Sequence, residues 1–192
     1  MIIKKNFTEH LEVQKNTIET LENKIFKASE MIADCLKNKG LVVWCGNGGS
    51  ASDSMHLSTE LLGRFKNNRK PLRSMSLAAD STSITCISND FGYENLFSRQ
   101  LEGLANNNDI LISLTTSGNS KNIINAIKKA KKLNLKTILM SGNSGGKCVG
   151  LTDLELIVPS TSTARIQEMH MLIGHTLCEL IEGHLNLNKE KK

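Results

Sequence analysis

Two helices in this sequence each offer polar side chains at the spacing that metal binding or proton transfer needs. His56 and Glu60 stand four residues apart, so on a helix they share one face. Gln167, Met171 and His175 fall on an i, i+4, i+8 row of a second helix. His56, Glu60, Gln167 and His175 could close a four-coordinate metal site, although Gln is an unusual zinc ligand. The same spacing also suits an exposed helix pair at 56 and 60, worth only a few tenths of a kcal/mol, and a core histidine at 175. Spacing alone leaves both readings open.

Two Gly/Ser-rich loops point to a phosphate. Thr115-Thr116-Ser117-Gly118-Asn119-Ser120 precedes Lys121, and Cys45-Gly46-Asn47-Gly48-Gly49-Ser50 has a related composition. A helix amino terminus supplies backbone N–H groups and the positive end of the dipole. Glycines let the backbone approach the ester oxygens, and Ser/Thr hydroxyls add donors. The second loop lacks the Gly-Lys-Ser/Thr of a nucleotide P-loop, and the first does not match Gly-x-Gly-x-x-Gly, so nucleotide chemistry is not favoured. An ordinary strand-to-helix connection with Ser120 as N-cap is the plainer alternative.

The elements that must position these groups alternate. Phe7, Leu11, Ile18, Leu21, Ile25, Ala28, Ile32 and Leu36 recur at intervals of three, four or seven, which predicts a long amphipathic helix closed by Gly40. Apolar runs predict strands at 41–45, 74–78, 109–115, 136–140 and 154–158. Helices are expected at 50–65, 81–88, 94–104, 121–133 and 163–184, the first opened by Ser50-x-x-Asp53 as a capping box. This alternation predicts an α/β fold, a three-layer αβα sandwich with a five-stranded parallel sheet covered on both faces. In such sheets ligands bind beyond the carboxyl ends of the strands, where both loops fall. The expected division is a helical extension over 1–40 serving oligomerisation, a domain over 41–187, and a disordered basic tail over 188–192.

Bulk properties exclude other classes. The net charge of +5 over 192 residues rests largely on Lys128, Lys129, Lys131 and Lys132 of one helix and on the tail, a solvated face rather than a nucleic-acid surface. Aromatics make up only 4%, without the interleaving that single-strand binders use. The five cysteines are scattered and form no CxxC pair, which argues against a thiolate metal site. With no apolar leader and no run long enough to span a bilayer, a cytoplasmic protein is expected.

The motifs together are similar to those of the sugar isomerase (SIS) domain, and within it of the phosphoheptose isomerases. The resemblance is carried by Cys45–Ala51, His56-x-x-x-Glu60, Asn89-Asp90-Phe91-Gly92, Phe97-Ser98-Arg99-Gln100, Thr115–Ser120 and Ala164-Arg165-Ile166-Gln167-Glu168-x-His170. It runs from about Glu9 to Ile181. It implies a flavodoxin-like sheet and a homotetramer with active sites at subunit contacts. It implies isomerisation of D-sedoheptulose 7-phosphate to D-glycero-D-manno-heptose 7-phosphate through an enediol, which supplies heptose for bacterial lipopolysaccharide, capsule or related glycans. Glu60 and His175 would be the acid–base pair. One zinc per subunit would be held by His56, Glu60, Gln167 and His175. Phosphate contacts would fall to Ser50, Thr115, Thr116, Ser117 and Ser120, and sugar contacts to Asn47, Asp53, Arg64 and Asp90. The rival is a non-catalytic SIS relative that binds the replication initiator; that pattern lacks the acid–base residues matching Glu60 and His175, both present in this chain.

Overall fold

The computed structural model describes residues 1–187, so the tail predicted at 188–192 lies outside the described residues. Helix α1 spans Ile2–Lys37 and buries Val13, Thr17, Leu21, Ile25, Ala28 and Ile32, a row at three- and four-residue spacing. It ends where the Gly40 N–H returns to the Cys35 carbonyl at 2.8 Å. A Cβ at Gly40 would lie 2.2 Å from the Asn108 carbonyl oxygen, so only glycine lets the chain turn into the sheet there.

Five parallel strands follow: β1 (Val42–Gly46), β2 (Ser74–Ser76), β3 (Ile110–Thr115), β4 (Lys136–Gly142) and β5 (Leu154–Val158), in the order β2-β1-β3-β4-β5. Helices α2 (Gly49–Leu62), α3 (Ser81–Phe91), α4 (Leu96–Leu104), α5 (Lys121–Lys132) and α6 (Thr163–His184) complete the fold. Alternation along β1 sorts the layers. Val42 and Trp44 join the core under α1, α2 and α6, whereas Val43 and Cys45 join Phe97, Leu101, Ile123 and Ile127 under α4 and α5. From β1 the chain steps to one side for β2 and to the other for β3. The crevice between β1 and β3 is therefore the topological switch point, where open α/β sheets bind ligands.

Two local expectations for α2 change. Helix α2 starts at Gly49, after Gly48 at φ 56°, and no side chain caps it. Gly48 takes the Ala51 and Ser52 N–H groups on its own carbonyl, so the turn is made by backbone and the Ser50/Asp53 capping box does not form. The same helix ends at Leu62 rather than Phe65, because Arg69 captures the Leu61 and Gly63 carbonyls. The predicted stripe on α1 is only partly covered: Phe7, Leu11 and Ile18 are exposed together with Phe26 and, on α6, Leu172. Ile18, Phe26 and Leu172 line an open apolar groove of about 510 Å³ between α1 and α6.

Candidate active site

Helices α2 and α6 meet at Gly174, where an added Cβ would lie 2.5 Å from the Leu57 methyls. That close approach brings the two predicted polar rows together. His56 Nε2 lies 3.0 Å from Glu60 Oε1 and 3.3 Å from His175 Nε2. The ligating atoms of all three residues fall within 4.8 Å of one another. On a tetrahedral zinc with ~2.1 Å bonds, neighbouring ligand atoms are about 3.4 Å apart. The 3.0 and 3.3 Å separations about His56 are close to that spacing, so the donor set suits such an ion. Phe65, just past α2, stacks on the His175 ring at 5.5 Å and 19° and fixes its plane. The Glu60 side chain is 24% exposed and His56 50%, so the cluster opens to solvent.

The two loops lie at the ends of adjacent strands and are tied to each other. Asn47 and Asn122 exchange amide hydrogen bonds, Asn47 Nδ2 donating at 2.9 Å and Asn122 Nδ2 at 2.8 Å. The Tyr93 hydroxyl donates to the same Asn47 oxygen at 2.8 Å. In the second loop Thr115 Oγ1 accepts the Gly118 N–H at 3.2 Å, and Ser117 Oγ accepts the Asn119 N–H at 3.2 Å. The N-cap residues Gly48 and Ser120 make no side-chain cap bond to α2 or α5, although Asn122 Oδ1 accepts the Ile123 N–H at 3.0 Å. Two helix amino termini with their dipoles uncompensated thus flank the switch point, and an anion is attracted to both.

The loop after β3 also has a buried footing. Ser141 Oγ donates to the Thr115 carbonyl at 2.8 Å, and His170 Nε2 donates to the Ser141 carbonyl at 3.2 Å. Burial pushes the His170 ring down to about 4, so it is neutral at pH 7.

The remaining predicted residues distribute as follows. Ser50 is buried in the first turn of α2. Asp53 is half-buried, with Oδ2 lacking any partner; burial raises its carboxyl above the ordinary range, offset in part by His56. An orphaned acceptor of this kind suits a sugar hydroxyl. Gln167 lies against Gly49, where a Cβ would meet its Nε2 at 2.5 Å. It precedes His175 by eight residues, about 12 Å along the helix axis. Arg64 is exposed beyond the end of α2, and Asp90 is exposed at the end of α3, where Asn89 donates to it at 2.8 Å. The structure gathers His56, Glu60 and His175 in one cluster and leaves Gln167 at the first loop.

A SIS domain family model matches residues 6–142. The chain is 48% identical over 183 residues to a phosphoheptose isomerase of Helicobacter pylori (strain P12), covering 95% of each sequence. The chain belongs to the phosphoheptose isomerase family of SIS domain proteins. Its fold matches a phosphoheptose isomerase from Francisella tularensis with a TM-score of 0.92 at 38% identity, covering 94% of this chain and 96% of the other. It matches the phosphoheptose isomerase from Neisseria gonorrhoeae with a TM-score of 0.90 at 35% identity, covering 94% and 97%.

Within this phosphoheptose isomerase frame, sequence reasoning missed Asn122, Tyr93 and Phe65. Asn122 had a readable signal: a polar side chain in the first turn of the helix that follows the loop after β3. Tyr93 and Phe65 had none, because each acts on a residue distant in sequence.

Proposed function

We propose that the cleft isomerises D-sedoheptulose 7-phosphate to D-glycero-D-manno-heptose 7-phosphate, with Glu60 and His175 as the acid–base pair. The observation that carries this reading is the convergence of Glu60 and His175 beside His56, at the sheet edge that also holds two uncapped helix amino termini. The phosphate sits on the loop after β3 and takes donors from Thr116, Ser117 and Ser120, with Thr115 and Ser50 behind them. Asn47, Asp53, Arg64 and Asp90 contact the sugar hydroxyls. The Glu60 carboxylate removes a proton from C1 of the ketose while His175 protonates O2, giving a cis-enediol. Return of a proton to C2 and loss of the O1 proton produce the aldose. Positioned acids and bases of this kind contribute ~10² to 10⁴-fold each.

We also propose one zinc per subunit, held by His56, Glu60 and His175; Gln167, which lies against Gly49, would serve as the fourth donor only after swinging from the first loop toward the cluster. Zinc would polarise the substrate oxygen and hold the negative charge that develops on it. A carboxylate has two oxygens, so Glu60 can serve the ion with one and accept a proton on the other. The uncovered apolar groove between α1 and α6 supports assembly as a homotetramer. Five free cysteines, and no described helix long and apolar enough to cross a membrane, support a cytoplasmic location. The heptose phosphate would be consumed in making activated heptose for surface glycans such as lipopolysaccharide or capsule. The reading as a non-catalytic binder of the replication initiator is not favoured.

Purified protein should turn over sedoheptulose 7-phosphate best in a panel of ketose phosphates; no turnover with zinc supplied sinks the proposal. Glu60→Gln and His175→Gln should each lose at least ~10²-fold in kcat while remaining folded. Protein purified without chelators should carry one zinc per chain, and full activity without metal would reject the metal requirement but not the acid–base pair.

A further inference from the structure

Seven residues past His175, two turns along α6, Glu182 stands on the same side of the helix. Its carboxylate is paired with Arg69, and both side chains are almost fully buried, at 1% and 2% exposure. Glu182 Oε1 accepts from Arg69 Nε at 2.8 Å and from the Phe65 N–H at 3.3 Å. Its Oε2 accepts the Asn67 N–H at 3.1 Å and Asn67 Nδ2 at 2.8 Å. Burial alone would raise this carboxyl, but the bonds from Arg69 and Asn67 outweigh it and hold it below its ordinary range.

Arg69 turns its remaining donors on the end of α2. Nη2 donates to the Glu60 carbonyl at 2.8 Å, and Nη1 to the Leu61 carbonyl at 2.9 Å. Weaker bonds reach Gly63 and Lys70. A cation at a helix carboxyl terminus satisfies carbonyls that have no partner within the helix and complements the dipole. One guanidinium therefore grips the main chain of Glu60 and, through one carboxylate, the helix that carries His175. The same carboxylate holds the backbone of Phe65, whose ring lies on His175.

Stability does not account for this arrangement, since a well-packed apolar pair commonly serves as well as a buried ion pair or better. What an apolar pair lacks is direction. We propose that Arg69 and Glu182 are positioning residues for the isomerase site: without touching substrate or metal, they fix the separation of Glu60 and His175 and the plane of the His175 ring. The proposal rests on the acid–base roles given to Glu60 and His175.

The test is the double variant Arg69→Met/Glu182→Leu, which removes both charges and leaves neither stranded. It should fold with a Tm close to that of the parent. Its kcat should fall ~10²-fold, the loss expected when catalytic groups shift by about an ångström. KM should change little, because the phosphate loop stands on α5 and β3. Affinity for Co²⁺, read from its visible absorption, should weaken ~10- to 100-fold, as for other residues that orient metal ligands. A folded double variant with parental kcat overturns the proposal. Should the double variant not fold, Arg69→Lys decides. Its single ammonium cannot serve Glu182 and the α2 carbonyls with the same fork, so a tenfold lower kcat at unchanged KM supports positioning, and parental kcat refutes it. Glu60→Gln is measured alongside. If that variant is inactive and the double variant fully active, only the positioning proposal fails; if Glu60→Gln is fully active, the acid–base reading falls and the proposal with it.

Discussion

The loop after β1 and the loop after β3 leave adjacent strands, open uncapped helices and share a composition, yet their positive-φ glycines sit in opposite surroundings. Gly48 in the first has φ 56°, and a Cβ there would meet nothing within 4 Å. Gly118 in the second has φ 65°, and a Cβ there would lie 1.8 Å from the Gly145 carbonyl oxygen. The second loop is braced from the β4 side throughout: Cys148 N–H bonds the Gly118 carbonyl, Lys147 N–H bonds Asn119 Oδ1, and Ser141 holds the Thr115 carbonyl. The difference separates two tasks. A phosphate anchor, the role proposed for the second loop, works when its donors are already fixed before the ligand arrives, which saves ordering entropy on binding. The first loop launches α2 and presents Asn47 and Ser50, and the placing of His56 and Glu60 is left to contacts further along the helix.

That contrast can be broken by substitution. Gly118→Ala combines backbone strain with a backbone collision and should cost more than about 4 kcal/mol, at the extreme of single substitutions. Gly48→Ala carries strain alone, about 1–3 kcal/mol. Urea denaturation of the two variants measures the gap, and equal losses would erase the distinction drawn between the loops.

The footing of the second loop can be titrated. His170 has an ordinary value of 6.5 and a folded value of about 4. Between those values the unfolded chain takes up a proton that the folded chain refuses. The stability from the neutral ring is thus complete above pH 6.5 and is lost as pH falls toward 4, by ~3 kcal/mol in all. His170→Asn should flatten the pH dependence in this window, and an unchanged slope would show that another group carries it.

The tie between the loops sets the smallest effect. Asn122→Ala removes both amide bonds to Asn47 and should cost about 1–2 kcal/mol. It should raise KM for the sugar phosphate severalfold with kcat retained; a fall in kcat alone would mean that Asn47 serves the chemistry rather than the anchor.

The strands and both loops were legible because their signals are local: near-continuous apolar runs such as Ile110–Leu114, followed at once by glycines and hydroxyls. His56, Glu60 and His175 were legible as helix rows. Their meeting was not, since it depends on Gly174 against Leu57, and a glycine inside a helix reads as a weak point rather than a contact. The stripe on α1 was legible as one apolar face, but periodicity shows which residues share a face and not how wide a face the rest of the chain covers. Phe7, Leu11 and Ile18 remain outside for that reason. The Ser50/Asp53 capping box failed differently: a turn made by Gly48 backbone left the box nothing to cap. Arg69 and Glu182 are 113 residues apart, and no pattern in the chain joins them.

The glycine at 174 has a consequence for how such a protein can change over generations. The packing of the Gly174 main chain on the Leu57 methyls, together with the Arg69–Glu182 pair, sets the gap between α2 and α6, rather than the fit of any side chain in the cluster. Residues 56, 60 and 175 can therefore be exchanged one at a time while the scaffold beneath them keeps its shape. Chemistry can be lost or rewritten by steps that leave the fold selectable throughout. The converse path is narrow, because a single methyl group at 174 would press on Leu57 and disturb all three positions at once.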